Sequence, residues 1–455
     1  MNSPSSSAKL ISSPIAPTLI RLSAPMLLAI FSMMAFNLVD TLFVARLGTL
    51  PLAAITLTFP VVMVISTFTI GIGVGAMAAI SKSIGEGDRS RIRRYATDSL
   101  TLSAACVIVL TAGGLASVEP LFRALGATDA TMPFVKSYLY VWYPGMVFFV
   151  VPMIGNNVMR ATGDTLTPSI IMAGGMLANT LLDPLFIFGL GPVPAMGIAG
   201  AAVASLVSRG LMLGVSLWVL YFRNGLLCRP WPGLATLLES WKTILATGLV
   251  VAVSNAVVPI ATGIITRIVS AFGAEAVAGF GVATRIEALG FTLIIALSTG
   301  VSPFVGQNYG ARKIDRIQKG LQFASRFSLA WGAVLAALFL LMGGRFAALF
   351  TNDLHVVSCA RLYLWILGAS LGLRGVHQII WTALNVIGRP YDSLILEGIL
   401  AFCLWIPLAF FGAHFLGISG AFFGLSLANV VAGIIASLWA NRVIGIEKRK
   451  MQIFG

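Results

Sequence analysis

Apolar positions along the chain gather into long runs separated by short polar loops. A membrane-spanning helix needs about 20 apolar residues, and about twelve runs meet that measure. They cover roughly 20–45, 52–80, 97–117, 136–159, 168–190, 196–222, 243–270, 277–307, 322–343, 361–385, 393–416 and 418–441. The alternation expected of a membrane β-barrel is absent, so the runs predict helices. The fold class expected is an all-α polytopic membrane protein. One run, Leu22 to Gly48, carries a single carboxylate, Asp40, well inside it. A charge in hydrocarbon costs at least roughly 2–3 kcal/mol, which makes Asp40 a functional-site hypothesis.

Composition agrees with the pattern. Of 455 residues, 58% are hydrophobic and only 10% charged, where a soluble domain carries about a quarter charged residues. Mean hydropathy is +0.94. The start, MNSPSSSAKLISSP, is polar and leads into a full-length run, so no cleavable signal peptide is expected. The net charge of +14 does not argue for nucleic acid, because the basic residues lie in loops beside the runs. With the N-terminus inside, inner loops and tails hold 20 Lys and Arg, outer loops 6, and the runs themselves 4. Both termini are therefore expected on the cytoplasmic side. The cysteines (Cys106, Cys228, Cys359, Cys403) and histidines (His355, His377, His414) show no metal-ligand spacing.

The chain reads as a duplication. At an offset of 225, Gly48, Gly75, Gly85 and Gly163 fall on Gly273, Gly300, Gly310 and Gly388. Pro184 and Gly189 fall on Pro407 and Gly412 at 223, and MGIAGA from Met196 matches LGISGA from Leu416 at 220. Six spans per half put both halves in the same orientation, related by an axis along the membrane normal. The expected lobes are 1–222 and 242–455, joined by a cytoplasmic linker, 223–241. Trp231 and Trp241 there are expected interface anchors.

Most acids lie in loops or at membrane edges, Asp98 and Glu447 among them, and are expected to be solvated. Four are intramembrane: Asp40, Asp183, Glu287 and Glu397. Asn179 precedes Asp183 by four residues and shares its helix face. At about 1.5 Å per residue, Asp40 and Asp183 each lie roughly 22 Å from the inner end of their spans, and Ser205 lies roughly 13 Å from the outer end of its own. Asp40, Asn179, Asp183 and Ser205 can meet at one level. Their second-half counterparts are apolar: Ile265 for Asp40, Leu425 for Ser205, and Phe402 with Ile406, or Leu404 with Leu408, for the other two. The set is either a hydrogen-bonded plug that fixes helix packing or a site for a proton or sodium ion.

A second group gathers in the other half: Arg285, Glu287, Arg374, His377, Gln378 and Glu397. Arg285 and Glu287 are two apart and face differently, so they are no obvious pair. Neutralising ion pairs and a substrate role both remain open for this group, and Arg209 is similarly open. Pro25, Asn37, Asn156, Asn157, Arg285, Glu287 and His377 are candidates for lining a substrate cavity or for gating. The glycine-rich run 69–79 lacks the ending of a phosphate loop and reads as close helix packing or a flexible segment.

Twelve spans in two six-helix repeats resemble the MATE family, the multidrug and toxic compound extrusion transporters. The motifs are SAPMLLAIFSMMAFNLVDTLFVARLG, VMRATGDTLTPS, NTLLDPLFIFG and GIAGAAVAS. The resemblance covers nearly the whole chain. It implies export of amphiphilic, often cationic compounds across a bacterial inner membrane, coupled to H+ or Na+, by a protein that is not an enzyme. It needs no cofactor beyond the coupling ion, and a monomer is expected. Asp40, Asn179 and Asp183 match the cation-site positions of the DinF-like branch, with Ser205 in place of a common Thr. The acids that the NorM-like pattern has in spans seven and ten are missing. Pro25 is a candidate kink in the first helix. A lipid-linked oligosaccharide flippase is the related alternative. A membrane-embedded enzyme would need a convergent nucleophile–base or metal set, which no spacing supplies, and a passive channel would show no uphill flux.

Overall fold

The computed structural model describes residues 10–189, 193–228 and 233–453. The elements are helices, which satisfy their own backbone groups without water. In chain order they are α1 (Ile15–Ala45), α2 (Thr49–Glu86), α3 (Arg89–Ala124), α4 (Met132–Trp142), α5 (Val147–Ala161), α6 (Leu166–Pro184) and α7 (Gly197–Trp218). The second repeat contributes α8 (Leu234–Ser270), α9 (Ala274–Gly310), α10 (Ile314–Ala348), α11 (Leu354–Gly368), α12 (Leu371–Val386), α13 (Pro390–Gly398) and α14 (Ile406–Ile453). Short π-helical turns extend α6, α7 and α13.

Among the described residues, nine helices are long and apolar enough to cross a membrane. Two bent pairs raise the number to eleven: α4 with α5, bent by 43°, and α11 with α12, bent by 62°. Pro144 starts the first bend, where its missing N–H interrupts the ladder. The last of the nine covers Pro390–Gln452, 63 residues. As one straight helix it would be about 95 Å long, three times the hydrocarbon thickness. It breaks at Gly417, whose φ of 65° and ψ of −151° suit glycine. Beyond the break the chain doubles back: a Cβ on Gly420 would collide with the Gly412 carbonyl, and one on Gly424 with that of Leu408. Divided there, the element makes two spans, and the total reaches the twelve that the apolar runs predict.

The helices pack into two compact units. One holds Pro25–Ala252; the other holds Val253–Gly455 together with the segment up to Ala24. Packing thus divides the chain elsewhere than the repeat boundaries at 222 and 242 do. The reason lies in two equivalent glycines. A Cβ on Gly75 would collide with the Ile244 carbonyl, and one on Gly300 with Ser23. In each repeat the second helix accepts the N-terminal part of the other repeat's first helix, and glycine allows the close approach. Gly71, packed on Gly248 and Ala252, extends the same seam. The glycine-rich run of α2 is therefore a packing surface.

Two edge acids depart from expectation. Asp98 is fully buried and accepts from Arg94 Nε at 2.7 Å. Glu447 is 6% exposed and accepts from Arg389 and Tyr309. Both are paired rather than solvated, because each lies where a basic side chain at the membrane edge can follow it inward. Trp241 donates to the Asp98 carbonyl at 3.1 Å and packs into the core around Tyr143, which ties it to the bundle. Trp231 lies outside the described residues.

Candidate functional site

The unit Pro25–Ala252 holds the first polar set. The i, i+4 spacing on α6 works as the sequence predicts: Asn179 Nδ2 donates to Asp183 Oδ1 at 3.0 Å, and both residues are fully buried. That bond leaves Asn179 Oδ1 and Asp183 Oδ2 buried without a hydrogen-bond partner. Asp40 on α1 is half-buried, and its Oδ1 is likewise buried and unpartnered. Asp40 lies within electrostatic reach of Asp183. Three acceptor oxygens from two helices thus stand without donors, an arrangement that is costly unless a proton or cation enters it. Ser205 is 7% exposed on α7, and no hydrogen bond joins it to these carboxylates.

Of two further side chains around Asp40, Tyr138 is absent from the sequence reading, and Arg209 is the arginine whose role that reading leaves open. Tyr138 on α4 is 8% exposed and within electrostatic reach of Asp40 and Asp183. Arg209, one turn along α7 from Ser205, interacts electrostatically with Asp40. Its guanidinium sits over Phe36, 4.9 Å from the ring centroid, and over Phe149 at 4.5 Å. The signal for Tyr138 was the repeat itself, since an offset of 225 places it on Tyr363.

The remaining candidates of this unit fall elsewhere. Pro25 lies inside α1 at the start of the unit. Asn37 is exposed. Asn157 donates to the Met153 carbonyl and packs against Gly73, so it serves its own helix and the α2 seam. Asn156 is buried, with Oδ1 unpartnered.

The other unit holds a cavity of about 230 Å³, lined by Ile265, Glu287, Phe291, Tyr363, Arg374 and Trp405 among others. Glu287 is ion-paired with Arg374 and accepts from Tyr363 Oη at 2.5 Å. Arg374 sits over Phe291 and Trp405, at 4.9 and 5.3 Å from the ring centroids. Glu397 is 7% exposed and within electrostatic reach of Arg374. His377 is buried with Nε2 unpartnered and does not line the cavity. Arg285 is exposed and does not line it either, as the two-residue spacing from Glu287 implies. Asn429 is tied to Trp405 and Ser370, at 3.0 and 3.1 Å.

Duplicated six-helix repeats with buried polar sets off the helix ends define a class, the polytopic membrane transporters built from parallel repeats. The MatE family model matches residues 25–185 and 251–411, one match in each repeat. The chain belongs to the MATE family, whose members are transporters and not enzymes. It is 34% identical to the "FAD transporter" of Shewanella oneidensis, over 95% of this chain and 96% of that one. It is 26% identical to the "Probable multidrug resistance protein NorM" of Thermotoga maritima, over 96% and 95%. Among solved structures, the Vibrio cholerae MATE transporter VcmN in the bent form superposes with a TM-score of 0.90 at 27% identity, covering 97% of this chain and 98% of that one. A MATE in the straight conformation superposes at 0.89 and 28%, covering 99% and 100%.

Proposed function

We propose that the chain is a secondary active exporter of the DinF-like branch, a monomer in a bacterial inner membrane with both termini cytoplasmic. It exchanges H+ or Na+ for amphiphilic, often cationic compounds. The observation that carries this reading is the set of unpartnered oxygens on Asp40, Asn179 and Asp183. A proton entering there relieves the repulsion between two nearby carboxylates. A sodium ion would use the same oxygens, with Ser205 as a further ligand. Coupling requires only that the cation bind one conformation better than the other. Multidrug names among the relatives support the substrate class.

The test is drug efflux from proteoliposomes under separate proton and sodium gradients, comparing wild type with Asp40→Asn. Gradient-driven efflux is expected in the wild type under one gradient and is lost in the variant. Unchanged gradient-driven efflux in Asp40→Asn refutes the reading.

A second reading is favoured by the relative named as an FAD transporter. On that reading the cargo includes anionic aromatic compounds.

A further inference from the structure

Arg209 is a charged group near Asp40 that a site for cationic cargo does not use. An arginine deep in a membrane helix is ordinarily neutralised by a carboxylate or by backbone carbonyls. Arg374 shows the ordinary solution, two aromatic rings plus a direct ion pair to Glu287. Arg209 has the rings without the pair. Among the described residues no carboxylate lies within 4.0 Å of its guanidinium, and no hydrogen bond occupies its N–H groups. None of its nitrogens is among the buried, unpartnered side-chain atoms, so they reach open space. Asp40 acts on it only at longer range.

This is a planar five-donor fork fixed by Phe36 and Phe149, with every donor free. Such a fork matches two phosphate oxygens at once, and arginine is the residue suited to that geometry. The neighbouring aromatic faces of Phe36 and Phe149 favour a ligand that brings a planar ring beside its charge. We propose that Arg209 is the recognition group for the phosphate of an aromatic, phosphate-bearing substrate, with Asp40 as its counter-charge when no substrate is bound. The inference deepens the second reading of this site and rests on it.

The geometry predicts opposite signs for two charges. Removing Arg209 weakens an anion and spares a cation. Removing the charge of Asp40 does the reverse, because the anion then meets Arg209 without a competitor. The experiment titrates purified full-length protein in detergent with FAD, riboflavin and ethidium, followed by fluorescence. Wild type is expected to bind FAD at least about tenfold more tightly than riboflavin, the worth of a charged bidentate contact. Arg209→Gln is expected to lose about that factor for FAD while ethidium binding is retained or tightened, and Arg209→Lys restores part of it. Asp40→Asn is expected to keep or tighten FAD binding and to weaken ethidium binding.

Equal loss of FAD and riboflavin in Arg209→Gln, or no loss of FAD, overturns the proposal. If that variant does not fold, the wild type decides alone, since equal affinity for FAD and riboflavin overturns it too. Phosphatidylglycerol added to the micelle leaves the FAD titration unmoved; competition would mean that Arg209 takes a lipid headgroup and would also overturn it. Loss of gradient-driven efflux in Asp40→Asn with no effect of Arg209→Gln on FAD would leave cation-coupled export standing and remove only this inference.

Discussion

Replacing Arg374 by methionine tests how the second polar cluster is held together. Methionine keeps much of the arginine stem, so the packing over Phe291 and Trp405 largely survives. What goes is the charge opposite Glu287, whose side chain is 6% exposed against 26% for Arg374. Removing one member of a buried pair costs about 3–5 kcal/mol, because the other charge is left uncompensated. The hydrogen bond from Tyr363 at 2.5 Å remains and limits the loss, so the lower end of that range, about 3 kcal/mol, is expected. In the double variant Glu287→Gln, Arg374→Met no charge is stranded at the pair, and the loss should fall short of the sum of the two single losses by about 1–3 kcal/mol. Denaturant unfolding in mixed micelles, followed by tryptophan fluorescence, measures all three. Trp405 lies against Arg374 and reports locally. A coupling smaller than about 0.5 kcal/mol would show that Glu287 and Arg374 do not act as one unit, and the argument from their pairing would fail.

Three further substitutions probe other parts of the fold. Gly75→Ala places a methyl against the Ile244 carbonyl and should cost about 1–3 kcal/mol by overpacking, whereas Gly214→Ala, with nothing within 4 Å of its added carbon, should leave the melting midpoint almost unmoved; equal effects would refute the seam. Asn179→Ala removes the donor to Asp183 Oδ1 and should destabilise by about 1–3 kcal/mol, with a matching loss of gradient-driven efflux; full coupling in a stable variant would remove Asn179 from the site.

The fold was legible because hydrophobic length is a coarse signal that a membrane enforces strongly. The i, i+4 pairing of Asn179 with Asp183 was legible too, because both residues sit on one helix. What escaped depended on contacts between helices distant in sequence. The seams of Gly75 on Ile244 and of Gly300 on Ser23 pass the N-terminal part of each first helix to the opposite repeat, and nothing in the local pattern around residue 24 or 252 announces it. Asp98 and Glu447 look like edge charges in sequence, because whether a basic side chain reaches them is settled only by packing. Glu287 looked ill-matched to its near neighbour Arg285, and its partner proved to be Arg374 on another helix.

The duplication also explains why an apolar replacement of Asp40 by Ile265 did not make the second half inert. Tyr138 corresponds to Tyr363 at the offset of 225, and both tyrosines are buried beside carboxylates. At the same offset Phe149, one of the rings beneath Arg209, corresponds to Arg374. At 220, Arg209 corresponds to Asn429, which the cavity of the second unit includes. The buried arginine thus stands on a different helix in each repeat, over rings that do not correspond: Phe36 and Phe149 under Arg209, Phe291 and Trp405 under Arg374. In the second unit that position puts it against Glu287, and the charge is spent locally. In the first, no carboxylate among the described residues stands within pairing distance of Arg209, which on the proposal made above leaves its charge to a ligand. The two repeats share a scaffold and a tyrosine, and differ in whether their arginine is already satisfied.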